Sequence, residues 1–226
     1  MATLSFNQLT LELLESLVEL DGPVEAPELW ASLESTEVPP ASLPLLDWVV
    51  GRVRDVLTVA ANESTVWSRA IDPMLMLAEE PRVRAWSQVS LRAELERCGK
   101  VTELAGVIDG VLARESAVGG LGKPPFLLVI EAKRAMDATD PRPQVLGALL
   151  ASLLAGGAPH GAVAECFGCL TVGDSWNFVR VEFEARPEAP RPLMRLAWSR
   201  EYSQPAEAPR LLAVLLGLVR RHTKRT

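Results

Sequence analysis

The sequence predicts an α/β protein, a mixed sheet flanked by helices with an N-terminal helical appendage. Three observations predict it. Apolar residues recur at helical spacing over the first 60 residues and again near 144–154 and 206–219, whereas the segments between 83 and 198 alternate or run apolar as strands do. A continuous apolar run, Phe126-Leu127-Leu128-Val129-Ile130, stops at Glu131-Ala132-Lys133. The net charge of −6 is unevenly divided: residues 1–50 hold nine acids and no Lys or Arg, a charge of −9, while the remaining chain carries +3.

Leu9, Leu11, Leu13, Leu14, Leu17, Val18 and Leu20 predict a first helix, stopped by Asp21-Gly22-Pro23. A short helix is expected at 27–33 and a longer one over 43–60, with Leu46, Val49, Val50, Val53, Val56 and Leu57 on one side. Residues 1–60 are therefore read as an acidic helical region and 61–226 as the main domain. Asn62-Glu63-Ser64-Thr65 opens a helix that runs to Ala78, with Pro73 kinking or restarting it. Strands are expected at 83–91, 103–113 and 125–134, forming a meander. Asp140-Pro141-Arg142-Pro143 introduces a helix over 144–154, ended by Gly156-Gly157. Strands at 162–171, 176–184 and 193–198 and a Leu-rich helix at 206–219 complete the series. That last helix is apolar nearly all round, which places it in the core or in a homodimer interface.

Successive strand residues point to opposite faces, so Glu131 and Lys133 share a side. Gly106-Val107-Ile108-Asp109-Gly110-Val111-Leu112 is a second apolar run interrupted by one acid, and the Gly and Pro residues of 119–125 can turn the chain so that Asp109 lies beside Glu131. Two carboxylates and an ammonium at a sheet edge can hold Mg²⁺ and position a water. In isolation, Glu-x-Lys on a strand reads as a cross-strand ion pair at a solvated sheet end. An acid inside an otherwise apolar strand shifts the balance, because a buried carboxylate is costly and tends to mark a site.

This order of elements, with Asp109 on the second core strand and Glu131 and Lys133 on the third, resembles the PD-(D/E)xK nuclease superfamily and its restriction-endonuclease-like fold. The hairpin Cys169 to Phe178, with Thr171-Val172-Gly173 before Trp176-Asn177-Phe178, is similar to one found in several members. The resemblance covers about residues 62–200. It implies a Mg²⁺-dependent nuclease, with Mn²⁺ able to substitute, that hydrolyses nucleic-acid phosphodiester bonds. Asp109, Glu131 and the Ala132 carbonyl would be metal ligands, Lys133 would act on the water and the phosphate, and Gln144 would hold the water or Lys133. Nucleic acid is the implied partner, DNA ahead of RNA. Ile108 stands where many members have Pro, and the Tyr that often accompanies the Gln is missing. A Glu on the first core helix is also common in members, which makes Glu63, Glu79 and Glu80 candidates. The alternative is a catalytically silent nuclease-fold protein serving as an interaction or regulatory module.

Other motifs carry less. Cys166-Phe167-Gly168-Cys169 has metal or redox spacing but no second pair, and alternate positions of a strand would fill the core. Gly119-Gly120-Leu121-Gly122-Lys123 has Pro124 where a phosphate loop needs Ser or Thr, so a hairpin loop is expected. His160 and His222 are the only histidines, too few for a His-based site, and His160 is read as a turn residue. No apolar segment reaches the roughly 20 residues a membrane helix needs. Three cysteines and no basic segment ahead of an apolar N-terminal stretch lead to an expectation of a cytoplasmic location. The body is too weakly basic for tight unaided duplex binding. The acidic N-terminal helices are either a solvated face or a surface for a protein partner, or they dock near the site and repel nucleic acid.

Overall fold

The computed structural model describes residues 2–54, 61–97, 99–133, 140–157, 163–186 and 188–223. Its centre is a mixed eight-stranded sheet with helices on both faces. Strands β3 (Val83–Arg97), β4 (Lys100–Arg114) and β5 (Leu128–Lys133) form the expected antiparallel meander. Helix α6 (Arg142–Ala155) then carries the chain across the sheet so that β6 (Val163–Val172) pairs parallel with β5, as a helical crossover allows. Strands β7 (Ser175–Glu184) and β8 (Leu193–Ser203) extend the sheet antiparallel from β6.

The first 60 residues depart from the expected all-helical appendage. Ala2–Ser5 forms β1, parallel to β4, and Glu19–Asp21 forms β2, parallel to β8. The helix expected from Leu9 to Leu20 is confined to α1 (Leu11–Leu17), where Thr10 Oγ1 accepts from the Leu13 N–H at 3.2 Å. Helix and strand compete for residues 18–21. The open edge of β8 supplies backbone partners for a strand, beginning with the Glu19 N–H donating to Pro192 O at 2.8 Å. Helices α2 (Pro27–Glu34) and α3 (Leu43–Arg54) match their predictions over the described residues, and Leu46, Val49, Val50 and Val53 are buried as the spacing requires. The end of the longer expected helix, with Val56 and Leu57, lies outside the described residues.

The sheet separates two cores. One joins α2, α3, α4 (Glu63–Val66), α5 (Asp72–Leu77) and the terminal helix α7 (Gln204–Thr223) to Leu112, Leu128, Ile130, Phe167 and Phe178. The other joins Phe6, Leu9, Leu14 and Leu17 and the buried face of α6 to Val111, Val129, Val181 and Phe183. N-terminal residues thus enter both. The acids of this segment partly face arginines of the body: Glu19 pairs with Arg186, Asp21 with Arg195 and Glu34 with Arg200. The uneven charge of the sequence is in part internal complementarity, between elements at the β8 end of the sheet rather than around Asp109. Glu12, Glu15, Glu25, Glu28 and Asp47 stay on the exposed surface. No helix among the described residues is long and apolar enough to cross a membrane.

Between α4 and α5 the chain widens to a π-helical turn, Trp67–Ile71. Pro73 lacks the N–H that would continue an α-helical ladder there, so the kink expected at Pro73 takes this form. A buried relay secures the turn. Trp176 Nε1 donates to Gln204 Oε1 at 3.0 Å, and Gln204 Nε2 donates to the Ala70 carbonyl at 3.0 Å. The Trp hairpin is thereby tied to the helical segment that starts at Glu63. Gln204→Leu leaves two buried polar groups without partners and is expected to cost about 2–4 kcal/mol, read as a lower urea midpoint at unchanged slope.

Candidate functional site

Strand β4 has different neighbours on its two edges. One edge pairs with β3 along its length except at Asp109. The other pairs with β1 over Thr102 to Ala105 and with β5 over Gly110 to Leu112, leaving 106–109 between the two. Asp109 sits at the β5 side of that gap. Continuing the register places it opposite Glu131, as the sequence predicts, but the ladder itself ends at the Gly110–Ile130 pair. The Ala132 N–H has no backbone partner on β4, and Asp109 Oδ2 accepts from it at 2.9 Å. A carboxylate has replaced a carbonyl in the sheet's hydrogen bonding.

The strand also changes face here. Ile108 belongs to the α6-side core, and so does Val111, three residues on, although regular alternation would set them on opposite faces. Gly106 and Gly110 show the same inversion. They are an even number of residues apart, yet a Cβ on Gly106 would lie 2.4 Å from Phe6 Cδ2 and one on Gly110 would lie 2.2 Å from Trp67 Cη2, rings on opposite sides of the sheet. Both rings need bare backbone beneath them. On β3 the distortion centres on Gln88, whose φ is +53° and which interrupts the β3–β4 pairs between Ser87–Gly110 and Val89–Ile108. Such a conformation costs a non-glycine residue on the order of 1 kcal/mol or more. The Gln88 amide Nε2 lies 3.4 Å from Asp109 Oδ1.

Glu131 is 2% exposed, and Lys133 Nζ donates to its Oε1 at 2.5 Å. The expected co-facial pair is therefore formed. Burial, followed by the nearby charge of Asp109, pushes the Glu131 carboxyl up to about 7, against the opposing hydrogen bond and charge of Lys133. Burial alone would lower the Lys133 ammonium, but its bond to Glu131 and the charges of Glu131, Asp109 and Glu63 leave it raised. One cation thus stands among three acids. Glu63, the first residue of α4, is the upstream candidate that reaches this field. Glu79 instead accepts from the Ala85 N–H and pairs with Arg84, while Glu80 pairs with Arg220. The α4 start forms as expected, with Asn62 Oδ1 accepting from the Thr65 N–H at 2.9 Å.

Gln144 is half-buried in the first turn of α6, and among the described residues no hydrogen bond joins its side chain to Lys133 or to either acid. Cys166 and Cys169 are buried in opposite cores, which fits their reading as strand interior and keeps them from a shared ligand. Residues 115–122 close back on themselves through Ser116 N–H to Gly120 O and a Glu115–Leu121 bridge, as a hairpin loop does. His160 lies outside the described residues. Gln88 and Gln204 were not foreseen: one looks like a solvent position in an alternating strand, and the other has no periodic neighbours to mark it as buried.

Oxygen donors dominate this cluster, a donor set suited to a hard divalent cation. Asp109 and Glu131 face one gap. The Ala132 carbonyl, which in an extended strand points to the same side as its N–H, opens toward it too. Among the described residues no three His, Cys, Asp or Glu side chains already converge as a closed cage, so the fit is to an ion that keeps waters and takes further oxygens from a ligand. Neither a protein-family model nor a curated protein matches this chain.

Glu131 makes stability depend on pH in a definite direction. Its carboxyl is raised from 4.5 to about 7 in the fold, so the native state favours the protonated form; its stabilising contribution is complete below pH 4.5 and is lost as pH rises through 7. Glu131→Gln, which mimics the protonated form, should therefore exceed wild type in stability by about 1–3 kcal/mol at pH 8. The gap should close by about pH 5. Thermal unfolding at the two pH values checks this, and a gap of the opposite sign at pH 8 would count against the charge balance described.

Proposed function

We propose that this chain is a metal-dependent nuclease with a restriction-endonuclease-like core, acting on DNA in preference to RNA. The observation that carries the proposal is the opened β4–β5 ladder, where Asp109 and Glu131 face one gap with Lys133 beside them. The antiparallel β3–β4–β5 meander, the α6 crossover and the parallel β6 support the fold assignment.

Asp109, Glu131 and the Ala132 carbonyl are the groups that would hold Mg²⁺, or Mn²⁺ in its place, with Glu63 adding negative charge nearby. When bound, the ion supplies Lewis-acid polarisation of a phosphate oxygen and a water acidified toward neutral pH. The chain's own residues do the rest. The Ala132 N–H fixes the Asp109 carboxylate against the strand, so that little reorientation is needed on binding. Lys133 keeps its proton in this field and presents a compact positive charge where a phosphate gains negative charge. Gln144, in the first turn of α6, would hold the water or Lys133.

A second reading, a catalytically silent interaction module, is favoured by one observation: several arginines of the body are already neutralised internally, including Arg186, Arg195 and Arg200. The two readings separate in one experiment. Purified protein with Mg²⁺ or Mn²⁺ is expected to cut plasmid DNA or single-stranded DNA faster than RNA, and both Lys133→Ala and Asp109→Asn to lower the rate at least about 100-fold. Absence of cleavage with either metal would leave the silent reading standing, and equal cleavage by Lys133→Ala would discard the assignment of this site.

A further inference from the structure

Among the described residues, two outside glycine have a positive φ, and they differ in setting. Arg82 lies in the turn that leads into β3, where left-handed backbone reverses the chain. Gln88 lies in the middle of a 15-residue strand whose flanks are regularly paired. Across it β3 exchanges faces as β4 does: Val83 lies in the core on the Trp67 side, whereas Val89, Leu91, Ala93 and Leu95, also odd-numbered, lie in the α6-side core, so the left-handed residue marks the exchange and sets Gln88 in register opposite Asp109. The side chain is exposed and is therefore not held in place by burial. Its one described polar contact is the one to Asp109 Oδ1.

Asp109 is thus approached from both sides. The Ala132 N–H from β5 takes Oδ2, and the Gln88 amide from β3 takes Oδ1. The first contact is 2.9 Å and the second, at 3.4 Å, is at the long end of hydrogen bonding; together they bias the plane of the carboxylate, and each oxygen keeps a second lone pair for another partner. Ligands held in this way by outer groups bind metal more tightly, because their orientation is set before the ion arrives. We infer that Gln88 is a positioning residue, whose amide, set opposite Asp109 where β3 exchanges faces, orients Asp109 toward a divalent cation. The inference rests on the metal-binding reading above and adds to it a residue from the outer strand.

The test uses the full chain and Mn²⁺ alone, with free Mn²⁺ followed by its electron paramagnetic resonance signal and heat stability measured without metal. Gln88→Gly removes the amide and adopts positive φ freely. It is expected to melt at a higher temperature than wild type while its Mn²⁺ Kd rises about tenfold. Gln88→Ala removes the amide but keeps the backbone constraint, so its Kd should rise similarly with no gain in melting temperature. A purely structural residue would move stability and affinity together, and a Gln88→Gly protein that melts lower and binds more weakly would overturn the inference. So would equal Mn²⁺ affinity in wild type and both variants. If wild type itself binds no Mn²⁺, the metal reading fails and this inference fails with it, an outcome distinguished by the wild-type titration alone.

Discussion

The arrangement of the site depends on a hydrogen bond that the sheet does not make with itself. Beyond the Gly110–Ile130 pair the β4–β5 ladder stops, and the Ala132 N–H is met by Asp109 Oδ2 in place of a backbone carbonyl. A strand N–H left unmet in a buried sheet is costly. A carboxylate offers a strong acceptor, and this one brings its charge to the point where the two strands separate. The same gap leaves room for Glu131 and Lys133 to sit beside it. Opening of the sheet and assembly of the charged cluster are therefore a single structural event.

The surrounding packing is built around that event. Phe6 covers Gly106 from one side and Trp67 covers Gly110 from the other, so the inverted stretch of β4 is held between two rings over two bare backbone positions. Trp67 belongs to the π-helical turn, which follows directly from the short helix that begins at Glu63. That turn is anchored through Ala70 by Gln204, and Gln204 in turn by Trp176. The helix that carries Glu63 is thus connected to the β6–β7 hairpin through buried hydrogen bonds, whose geometry tolerates less displacement than apolar contact. Phe6 has a different origin, since it follows β1 in the N-terminal segment. Residues that look peripheral by composition supply one wall of the site.

Much of this was legible in the sequence, for reasons that can be stated element by element. The strands from β3 to β8 and helices α6 and α7 have long apolar patterns with turn residues between them, and pattern decides structure where burial is extensive. Asp109 was legible because an acid inside an apolar run is costly and stands out from the pattern, and Glu131 with Lys133 because strand geometry alone sets them on one side. β1 and β2 were not legible. Each is only three or four residues long, and each exists because a longer strand presents a free edge, which is a tertiary fact. The same holds for Gln88, whose unusual backbone reflects the interruption of a ladder and leaves no mark in composition. Gln204 escaped notice because its burial comes from Trp176 and Ala70, residues 28 and 134 positions away.

The charge balance of the cluster distinguishes it from an ordinary surface ion pair. A surface Glu-x-Lys pair satisfies itself at little cost and little gain. Here Glu131 is almost fully buried, and a second acid lies directly across the gap, with Glu63 contributing from the helix. Lys133 answers only one of these negative charges. The outcome is visible in Glu131, whose carboxyl is driven up to about 7 although a lysine is bonded to it. A fold selected for stability alone would gain by neutralising this position, because surplus buried charge of one sign opposes folding. Retaining it is consistent with a site that becomes balanced only when positive charge arrives from outside the chain. A divalent cation meets that requirement with the oxygen donors already present, whereas a monovalent organic cation would need an enclosing apolar or aromatic wall.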